Sequence, residues 1–302
     1  MTNLVVLSLC FLLGIGLRWS GRLPIEAHRT FNAYIVNIAL PALILRYIHD
    51  LRYDARLLSA ALMPWAMFIA GVLFFMAIAR FAGWSRRTTG ALILSGALAN
   101  TSFVGLPMIE TFYGNQFLSI GILIDRLGTY MVLGTAGILV AVLCAEDGQV
   151  SWRALIQKVI MFPPFQASIA ALLLILVGYP DMLVTVLDRL GGTLTPLALV
   201  SAGYQLRLSD IRGNFAAVST GLTFKLVLAP AFIAFLLLLT PHAGGKITQV
   251  TIFEAAMGPQ IGGAIVAMEH GLDSRLVSLM VGLGIPLSLI TAAAWWYVLG
   301  NV

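Results

Sequence analysis

The amino-acid sequence predicts an all-α membrane protein of ten transmembrane helices, arranged as two inverted five-helix repeats with broken, crossing helices 4 and 9. Three observations lead to this prediction. Of the 302 residues, 60% are hydrophobic and 10% are charged. The apolar residues fall into blocks of membrane-spanning length, and motifs of the first half recur in the second half.

The composition excludes a water-soluble globular protein. With a mean hydropathy of +0.95, the chain has too few polar side chains to cover a surface that faces water. The formal net charge of +5 comes from basic residues in short loops, which membrane topology explains, so no nucleic-acid partner is expected. Cys10 and Cys144 lie in apolar segments, and neither a disulfide nor a metal site is predicted.

The apolar blocks are about 17–25 residues long, the length of α-helix that crosses a hydrocarbon core. The first block starts near Met1 without the basic region of a signal peptide, so it is predicted to be a membrane helix. The predicted helices 1 to 10 are Asn3–Ser20, Glu26–Ile48, Leu57–Phe81, Arg87–Tyr113, Phe117–Ala145, Pro163–Val177, Met182–Leu206, Phe215–Leu239, Ile247–His270 and Arg275–Leu299.

The Lys and Arg residues predict how these helices are oriented. Most of those between helices flank the odd-numbered loops, and cytoplasmic loops are enriched in such residues. The odd loops are therefore predicted to be cytoplasmic, with both termini outside. Arg46, Arg52 and Arg56 flank an even loop against this pattern, and local pairing with Asp50 and Asp54 is the predicted explanation.

Self-comparison of the sequence indicates an internal duplication. The segment Pro41–Arg52 of helix 2 matches Pro196–Arg207 of helix 7 in the spacing from its proline to its Leu-Arg pair. Glycine-containing segments near the ends of helices 4 and 9 also match, and they run to Gly114 and Gly271. Because five helices are an odd number, the second copy would enter the membrane from the opposite side, which makes the repeat inverted.

Helix 4 contains a polar interruption in mid-membrane. The run that starts at Asn100 continues with Thr101 and Ser102 and reaches Gly105 and Pro107. Proline removes a backbone donor and strains the preceding turn, and glycine tolerates unusual torsions, so the helix is predicted to break in this run. The freed backbone groups must find partners or line a wet cavity.

Helix 9 has a counterpart to this interruption. Two interrupted helices at corresponding positions of two halves indicate a substrate site, because the N-termini of half-helices direct partial positive charge at an anion. The predicted substrate-binding residues are Asn100, Thr101, Ser102, Gly105, Pro107, Gly258, Pro259 and Gln260.

Alternatives remain open for these polar residues. The amide of Asn100 either binds a carboxylate or satisfies backbone groups freed by the break, and Gln260 is the same candidate in the other half. The hydroxyls of Thr101 and Ser102 could instead bond to the preceding helical turn, as hydroxyls in membrane helices usually do. In that case both helices would be ordinary kinked helices.

Charge inside a membrane helix is costly, so a functional role is the default interpretation of an ionisable residue there, and three such residues are singled out as candidates. Asp125 in helix 5 is either a proton or cation site that faces the crossing, or part of a structural ion pair. Glu254 precedes the interruption of helix 9 by about one turn and is a similar candidate. Lys225 in helix 8 either offsets one of these carboxylates or attracts the substrate, but snorkelling to an interface is the favoured interpretation.

The motifs resemble those of the auxin efflux carrier family, whose bacterial members share them. The run Asn100–Pro107 is similar to the fourth-helix signature of the family, and Glu254–Pro259 is similar to the ninth. Further similarities, in chain order, lie at Ala39–Leu43, Phe162–Pro164, Thr195–Leu199 with Gly203, and Lys225–Pro230. The resemblance covers essentially the whole chain.

This resemblance implies an elevator-type transporter with a fold similar to that of the bile-acid symporter group. Residues 1–50 and 160–208 (helices 1, 2, 6 and 7) would form the scaffold, and residues 56–145 and 215–302 (helices 3–5 and 8–10) the transport domain. It also implies a homodimer through the scaffold. The expected location is the bilayer of a bacterial inner membrane, where the Lys and Arg distribution places both termini on the periplasmic side.

The resemblance further implies that the substrate is a small carboxylate such as malonate or malate. The plant carriers have a long loop between helices 5 and 6, where this chain has only Glu146–Gln157. Gln260 also stands where an asparagine would mirror Asn100. Auxin itself is therefore not the expected substrate.

Transport of a small organic anion, with proton or Na⁺ coupling and no other cofactor, is the predicted function. The alternative is a cation/proton antiporter of related fold that uses Asp125. An enzyme is not expected, since the sequence contains neither an HExxH nor a GxSxG motif and no catalytic residues are predicted. A passive channel or receptor is a further class, for which flux would be unsaturable or absent.

Overall fold

The computed structural model describes residues 2–49, 58–145, 157, 160–161, 163–174, 177–205, 211–239 and 244–300. Within these ranges every regular element is a helix. The one strand-like contact among the described residues is an isolated antiparallel bridge between Ala99 and Pro259. The predicted all-α class is therefore confirmed for this part of the chain.

The first half of the chain contains long apolar helices and several π-helical turns that continue one α-helix into the next. Its α-helices are α1 (Thr2–Ser20), α2 (Ala27–Tyr34), α3 (Leu40–His49), α4 (Leu58–Ala82), α5 (Arg86–Gly96), α6 (Leu106–Phe112), α7 (Leu118–Leu123), α8 (Tyr130–Val132) and α9 (Ile138–Ala145). Its π-helical turns are π1 (Ile35–Ala39), π2 (Thr101–Gly105), π3 (Ile124–Thr129) and π4 (Leu133–Gly137), and a 3-10 turn spans Asn115–Phe117.

The second half is built in the same way. Its elements are α10 (Pro163–Leu173), α11 (Asp181–Gly192), α12 (Leu194–Gln205), α13 (Ile211–Thr223), π5 (Phe224–Leu228), α14 (Ala229–Leu238), α15 (Gly245–Ala255), α16 (Ile261–Glu269) and α17 (Ser274–Leu299).

Five helical runs in the described part of the chain are long and apolar enough to cross a membrane, which supports a multi-pass membrane protein. They are Leu58–Ala82, Leu118–Ala145, Asp181–Ser201, Ile211–Leu238 and Ser274–Leu299, and they correspond to predicted helices 3, 5, 7, 8 and 10. Predicted helices 4 and 9 are each divided into two shorter helices by their interruptions. The number of ten spans remains a prediction.

The helices form two packed groups that contact each other. In one group α1 lies along α12, and α3 packs against α10 and α11. In the other, α5 packs against α9, α16 and α17, and α4 packs against π3, α14 and α15. The groups meet where α12 contacts α16 and α17. Helices α5, α15, α16 and α17 each carry several completely buried apolar residues, so the interrupted helices lie inside the second group.

The contact between α1 and α12 depends on two glycines. A Cβ atom at Gly14 would collide with the carbonyl oxygen of Val200, and a Cβ atom at Gly203 would collide with that of Phe11. Small residues allow helix backbones to approach closely in a membrane, where van der Waals packing drives helix association. Each helix therefore contributes one glycine to a close backbone contact.

Arg46 is bound to another helix of the first group. Its Nε donates a hydrogen bond of 2.9 Å to Oδ1 of Asp188, which joins α3 to α11. The predicted local partners, Asp50 and Asp54, lie outside the described residues. A partner on α11 helps to explain why a basic residue stands at this end of helix 2.

Candidate functional site at the two interrupted helices

The two interruptions lie side by side. Ala99 and Pro259 form the antiparallel bridge, and the backbone N–H of Asn100 donates to the carbonyl oxygen of Gly258 at 2.9 Å. Buried backbone groups outside helices require such partners, above all at membrane depth. Each interruption thus satisfies part of the backbone that the other one exposes.

The interruption in helix 4 lies earlier than predicted. Its non-helical residues are 97–100, and helical structure is continuous from Thr101 through π2 and α6. Pro107 sits in the first turn of α6, where a helix tolerates proline, and the π turn before it accommodates the missing donor. In helix 9 the interruption covers residues 256–260 and includes Gly258, Pro259 and Gln260, as predicted.

Asn100 and Gln260 hold the same position in the two interruptions. Each caps the helix that follows: Oδ1 of Asn100 accepts from the N–H of Phe103 at 3.2 Å, and Oε1 of Gln260 accepts from that of Gly263 at 3.0 Å. The Nδ2 atom of Asn100 is buried and has no hydrogen-bond partner among the residues described. The oxygen of the Asn100 amide therefore accepts from the backbone N–H of Phe103, while its Nδ2 group still has hydrogen atoms to donate.

Thr101 and Ser102 both bind Asp125. Their hydroxyls donate to Oδ1 of Asp125 at 2.6 and 2.5 Å, and the Thr101 hydroxyl is also 3.1 Å from that of Thr129. The alternative, in which these hydroxyls bond to the preceding helical turn, does not describe the structure. A buried carboxylate on the neighbouring π3 is a stronger acceptor than a backbone carbonyl.

Lys225 is completely buried, and its predicted snorkelling to an interface is wrong. Its Nζ donates to the carbonyl oxygen of Ala255 at 2.7 Å and lies 3.7 Å from Sδ of Met67. Ala255 is the last residue of α15, where carbonyl groups lack helical partners and a positive charge is favourable. The lysine therefore caps the end of the helix at the interruption.

Glu254 is completely buried next to this capped end. Its carboxylate lies so close to Gly105 that a Cβ atom there would collide with it, and Oε1 would lie 3.1 Å from a Cβ atom at Gly121. Neither oxygen has a hydrogen-bond partner in the described part of the chain. Asp125 and Lys225 act on this carboxylate electrostatically, with opposite signs.

A cavity of about 450 Å³ lies beside the helix that follows the first interruption. Ser102 and Glu110 are its polar and charged residues among those described, and apolar side chains line the rest. Val6 of α1 and Pro196 of α12 are among these apolar residues. Ser102 also donates a hydrogen bond to Asp125, so this one residue contacts both the cavity and the buried carboxylate.

The structure thus brings most of the predicted site residues together. Ser102 and Pro107 line the cavity, while Gly258 lies at the contact between the interruptions. Glu110 and Thr129 were not predicted. Thr129 follows Asp125 by one helical turn, a spacing that places both on one helix face and could have indicated it, whereas no sequence signal places Glu110 at a cavity.

The sequence of residues 1–296 matches the family described as membrane transport protein. The chain belongs to this family. The resemblance to the auxin efflux carriers is thereby confirmed, and the family assigns the chain a role in membrane transport rather than enzymatic catalysis.

Two archaeal family members are similar over nearly the whole chain. An uncharacterized transporter of Methanothermobacter thermautotrophicus is 29% identical over 293 residues, which cover 95% of this chain and 94% of the relative. An uncharacterized transporter of Methanocaldococcus jannaschii is 24% identical over 314 residues, which cover 100% of this chain and 99% of the relative.

Proposed function

We propose that this family member is a secondary active transporter that carries a small carboxylate, such as malonate or malate, by elevator-type alternating access. The observation that carries the proposal is the position of the cavity of about 450 Å³. Ser102 and Pro107 line it from the group of helices expected to move, and Val6 and Pro196 line it from the expected scaffold. Relative motion of two such groups can expose a site between them to either side of the membrane.

Binding of an anion is supported by the donors at the interruptions. The Nδ2 atom of Asn100 is a buried donor with no partner among the described residues. The helices that start at Thr101 and Ile261 present the positive ends of their dipoles at the same place. A carboxylate would satisfy the amide and be attracted by both helix ends.

Ten spans in two inverted halves are part of the proposal. The capping residues Asn100 and Gln260 support it, as do Gly114 and Gly271, which follow the resumed helices with positive φ angles of 95° and 68°. Equivalent broken helices in two halves are typical of inverted-repeat transporters. The same proposal includes a scaffold (residues 1–50 and 160–208) and a transport domain (residues 56–145 and 215–302). It also includes a homodimer and a location in a bacterial inner membrane with periplasmic termini.

Transport by purified protein in liposomes tests the function. We expect saturable currents or uptake for one or more members of a panel of mono- and dicarboxylates, reduced at least ~10-fold in Asn100→Ala, which corresponds to about 1.4 kcal/mol. Asn37→Ala is the matched control, because Asn37 is exposed and its side chain bonds only to the carbonyl of Ala33 among the described residues. Absence of any organic-anion dependence would contradict the proposal.

A cation/proton antiporter is the second candidate, and one observation favours it. The carboxylate of Asp125 and the hydroxyls of Thr101, Ser102 and Thr129 form an oxygen-rich cluster, and oxygen atoms are the ligands that hard cations prefer. A sodium- or proton-driven response without organic anion in the same liposomes would support this candidate over the first.

A further inference from the structure

Two buried carboxylates lie near the interruptions, and their surroundings differ. Asp125 accepts hydrogen bonds from Thr101 and Ser102. Glu254 is 0% exposed, and neither of its oxygens has a partner among the described residues. When two titratable groups in one site have such different environments, they generally have different roles.

We propose that Glu254 is the proton-binding group of the transport cycle and that Asp125 is a positioning residue for the interruption of helix 4. The inference rests on the proposed function, whose driving ion it names. A carboxylate oxygen of Glu254 takes a proton from water on one side of the membrane, which gives a neutral carboxylic acid. It returns the proton to water on the other side, and no other bond forms or breaks.

The packing around Glu254 favours the protonated form. Its oxygens lie against the backbone at Gly105 and Gly121, where the side chains of Leu106 and Ile109 also pack. An ionised carboxylate without hydrogen bonds is costly to bury, and uptake of a proton removes that charge. A bound sodium ion would need several oxygen ligands, and these glycine and apolar neighbours offer no side-chain oxygen.

Two charged groups act on the Glu254 carboxylate. Asp125 on π3 opposes its negative charge and Lys225 on π5 favours it, although the lysine also bonds to the carbonyl of Ala255. Among the other elements that pack against α15, π2 and helices α7 and α14 carry no titratable residue, and those of α4 and α17 lie near the helix ends at Arg80, Arg275 and Tyr297. On the side of α6, which carries Glu110, the ring of Tyr113 contacts that of Phe253 on α15. Asp125 and Lys225 are therefore the two charged neighbours that influence whether Glu254 binds a proton.

Leu106 connects the carboxylate to the cavity. Its side chain lines the cavity. The same side chain lies next to Gly121: a Cβ atom built there would be 2.8 Å from Leu106 and 3.1 Å from Oε1 of Glu254. Leu106 thus lines the cavity and also lies beside Gly121, next to the Glu254 carboxylate. Occupancy of the cavity and protonation of Glu254 can therefore influence each other through the packing of Leu106.

Infrared spectroscopy of the purified full-length protein tests proton binding without requiring transport. We expect wild-type protein to show the C=O band of a buried protonated carboxyl that disappears as the pH rises. The band should be absent in Glu254→Gln and retained in Asp125→Asn. A band that survives in Glu254→Gln, or is lost only in Asp125→Asn, would overturn the assignment.

Transport in liposomes gives the second readout. In wild-type protein we expect a proton gradient to drive accumulation of the carboxylate, and counterflow to change with pH. Glu254→Gln should lose the accumulation and show the same counterflow at each pH, whatever its rate, whereas Asp125→Asn should retain the pH dependence. A wild-type pH profile in Glu254→Gln, or accumulation driven by sodium alone, would overturn the inference. Wild-type protein that moves no carboxylate would contradict the proposed function instead, and the infrared band would still decide the role of Glu254.

Discussion

Lys225 serves two neighbours with one side chain. It donates to the carbonyl oxygen of Ala255 at the end of α15, and it provides the positive charge near Glu254. Fully buried lysines are rare in membrane helices because an uncompensated charge there is costly. Two neighbours explain why a lysine is buried here: the end of α15, which it caps at Ala255, and the nearby carboxylate of Glu254.

Replacement of this lysine should destabilise the protein. Lys225→Met leaves the carbonyl oxygen of Ala255 without its donor, and a buried acceptor left without a partner costs about 1–3 kcal/mol. Thermal unfolding in detergent should show a clearly lower Tm. Lys246→Met is the control. Lys246 is exposed in the first turn of α15, so its replacement should change Tm little.

A double variant identifies the cause of that loss. If the charge of Glu254 is responsible, Lys225→Met with Glu254→Gln should regain part of the lost stability, because the two residues are coupled. Equal Tm values for Lys225→Met and wild-type protein would contradict the assigned role of Lys225.

Ser102 should affect both stability and substrate binding. Ser102→Ala removes a hydrogen bond to a buried carboxylate, and such bonds contribute about 1.5–3 kcal/mol. We expect a lower Tm and a weaker substrate response, since Ser102 also lines the cavity. Ser119→Ala, at an exposed position of α7, should leave both unchanged; a loss of equal size there would show that the effect is not specific.

The buried polar residues at the interruptions could be predicted from the sequence, but most of their partners could not. Asn100, Asp125 and Glu254 are conspicuous because polar residues are rare inside apolar blocks. Hydrogen bonds between helices depend on how each helix is rotated about its axis. For this reason the hydroxyl partners of Asp125 and the carbonyl partner of Lys225 became apparent only in the structure.

At the scale of elements, the interruptions show which local rules decide where a helix ends. Helix 9 breaks where glycine and proline predict, at residues 256–260. Helix 4 is interrupted at residues 97–100 and not near Pro107, because a proline in the first helical turn is tolerated and a π turn precedes it. Glycine and proline therefore predicted the presence of both breaks but the position of only one.

Gly105 is predicted to be intolerant of any side chain. In Gly105→Ala the new Cβ atom would collide with the carboxylate of Glu254, and such overpacking costs about 1–3 kcal/mol. Gly213→Ala is the control, because a Cβ atom there meets open space on a helix. We expect a lower Tm for Gly105→Ala and not for Gly213→Ala. Combining Gly105→Ala with Glu254→Ala should restore part of the lost Tm, because the smaller side chain provides room. If the Tm does not recover, the collision is not the cause of the loss.

The close contact between α1 and α12 should be equally sensitive. Gly203→Ala places a methyl group against the carbonyl of Phe11, whereas Gly16→Ala on α1 meets nothing within 4 Å. Since backbone atoms cannot move aside as a flexible side chain can, we expect Gly203→Ala to lower Tm and Gly16→Ala to be neutral. Comparable melting of the two variants would argue against this contact.

At the scale of the whole molecule, the sequence was sufficient for the all-α class and for family membership over nearly the whole chain. Both follow from composition and from motifs that keep their order. The number of spans could not be verified in the same way, because interrupted helices are too short to be recognised by length and apolarity alone. How the helices pack within a group depends on contacts such as that between Gly203 and the backbone of Phe11, which no apolar pattern reveals.

Accessibility of the cavity tests this arrangement of the helices. In a variant without Cys10 and Cys144, Ile122→Cys should react with a charged thiol reagent, because Ile122 lines the cavity, and substrate should slow the reaction. Leu139→Cys lies on the exposed face of the same apolar run and should not react, since lipid excludes a charged reagent. Equal labelling at both positions would show that the cavity is not water-filled.

The bridge between Ala99 and Pro259 is made by backbone atoms, so its formation depends little on which side chains stand nearby. Two halves that are joined through their backbones can therefore differ in side chains without losing the contact between them. Asn100 and Gln260 illustrate this, since both cap a helix with different side chains. The side chains of one interruption are thus free to change for a new ligand while those of the other interruption stay the same.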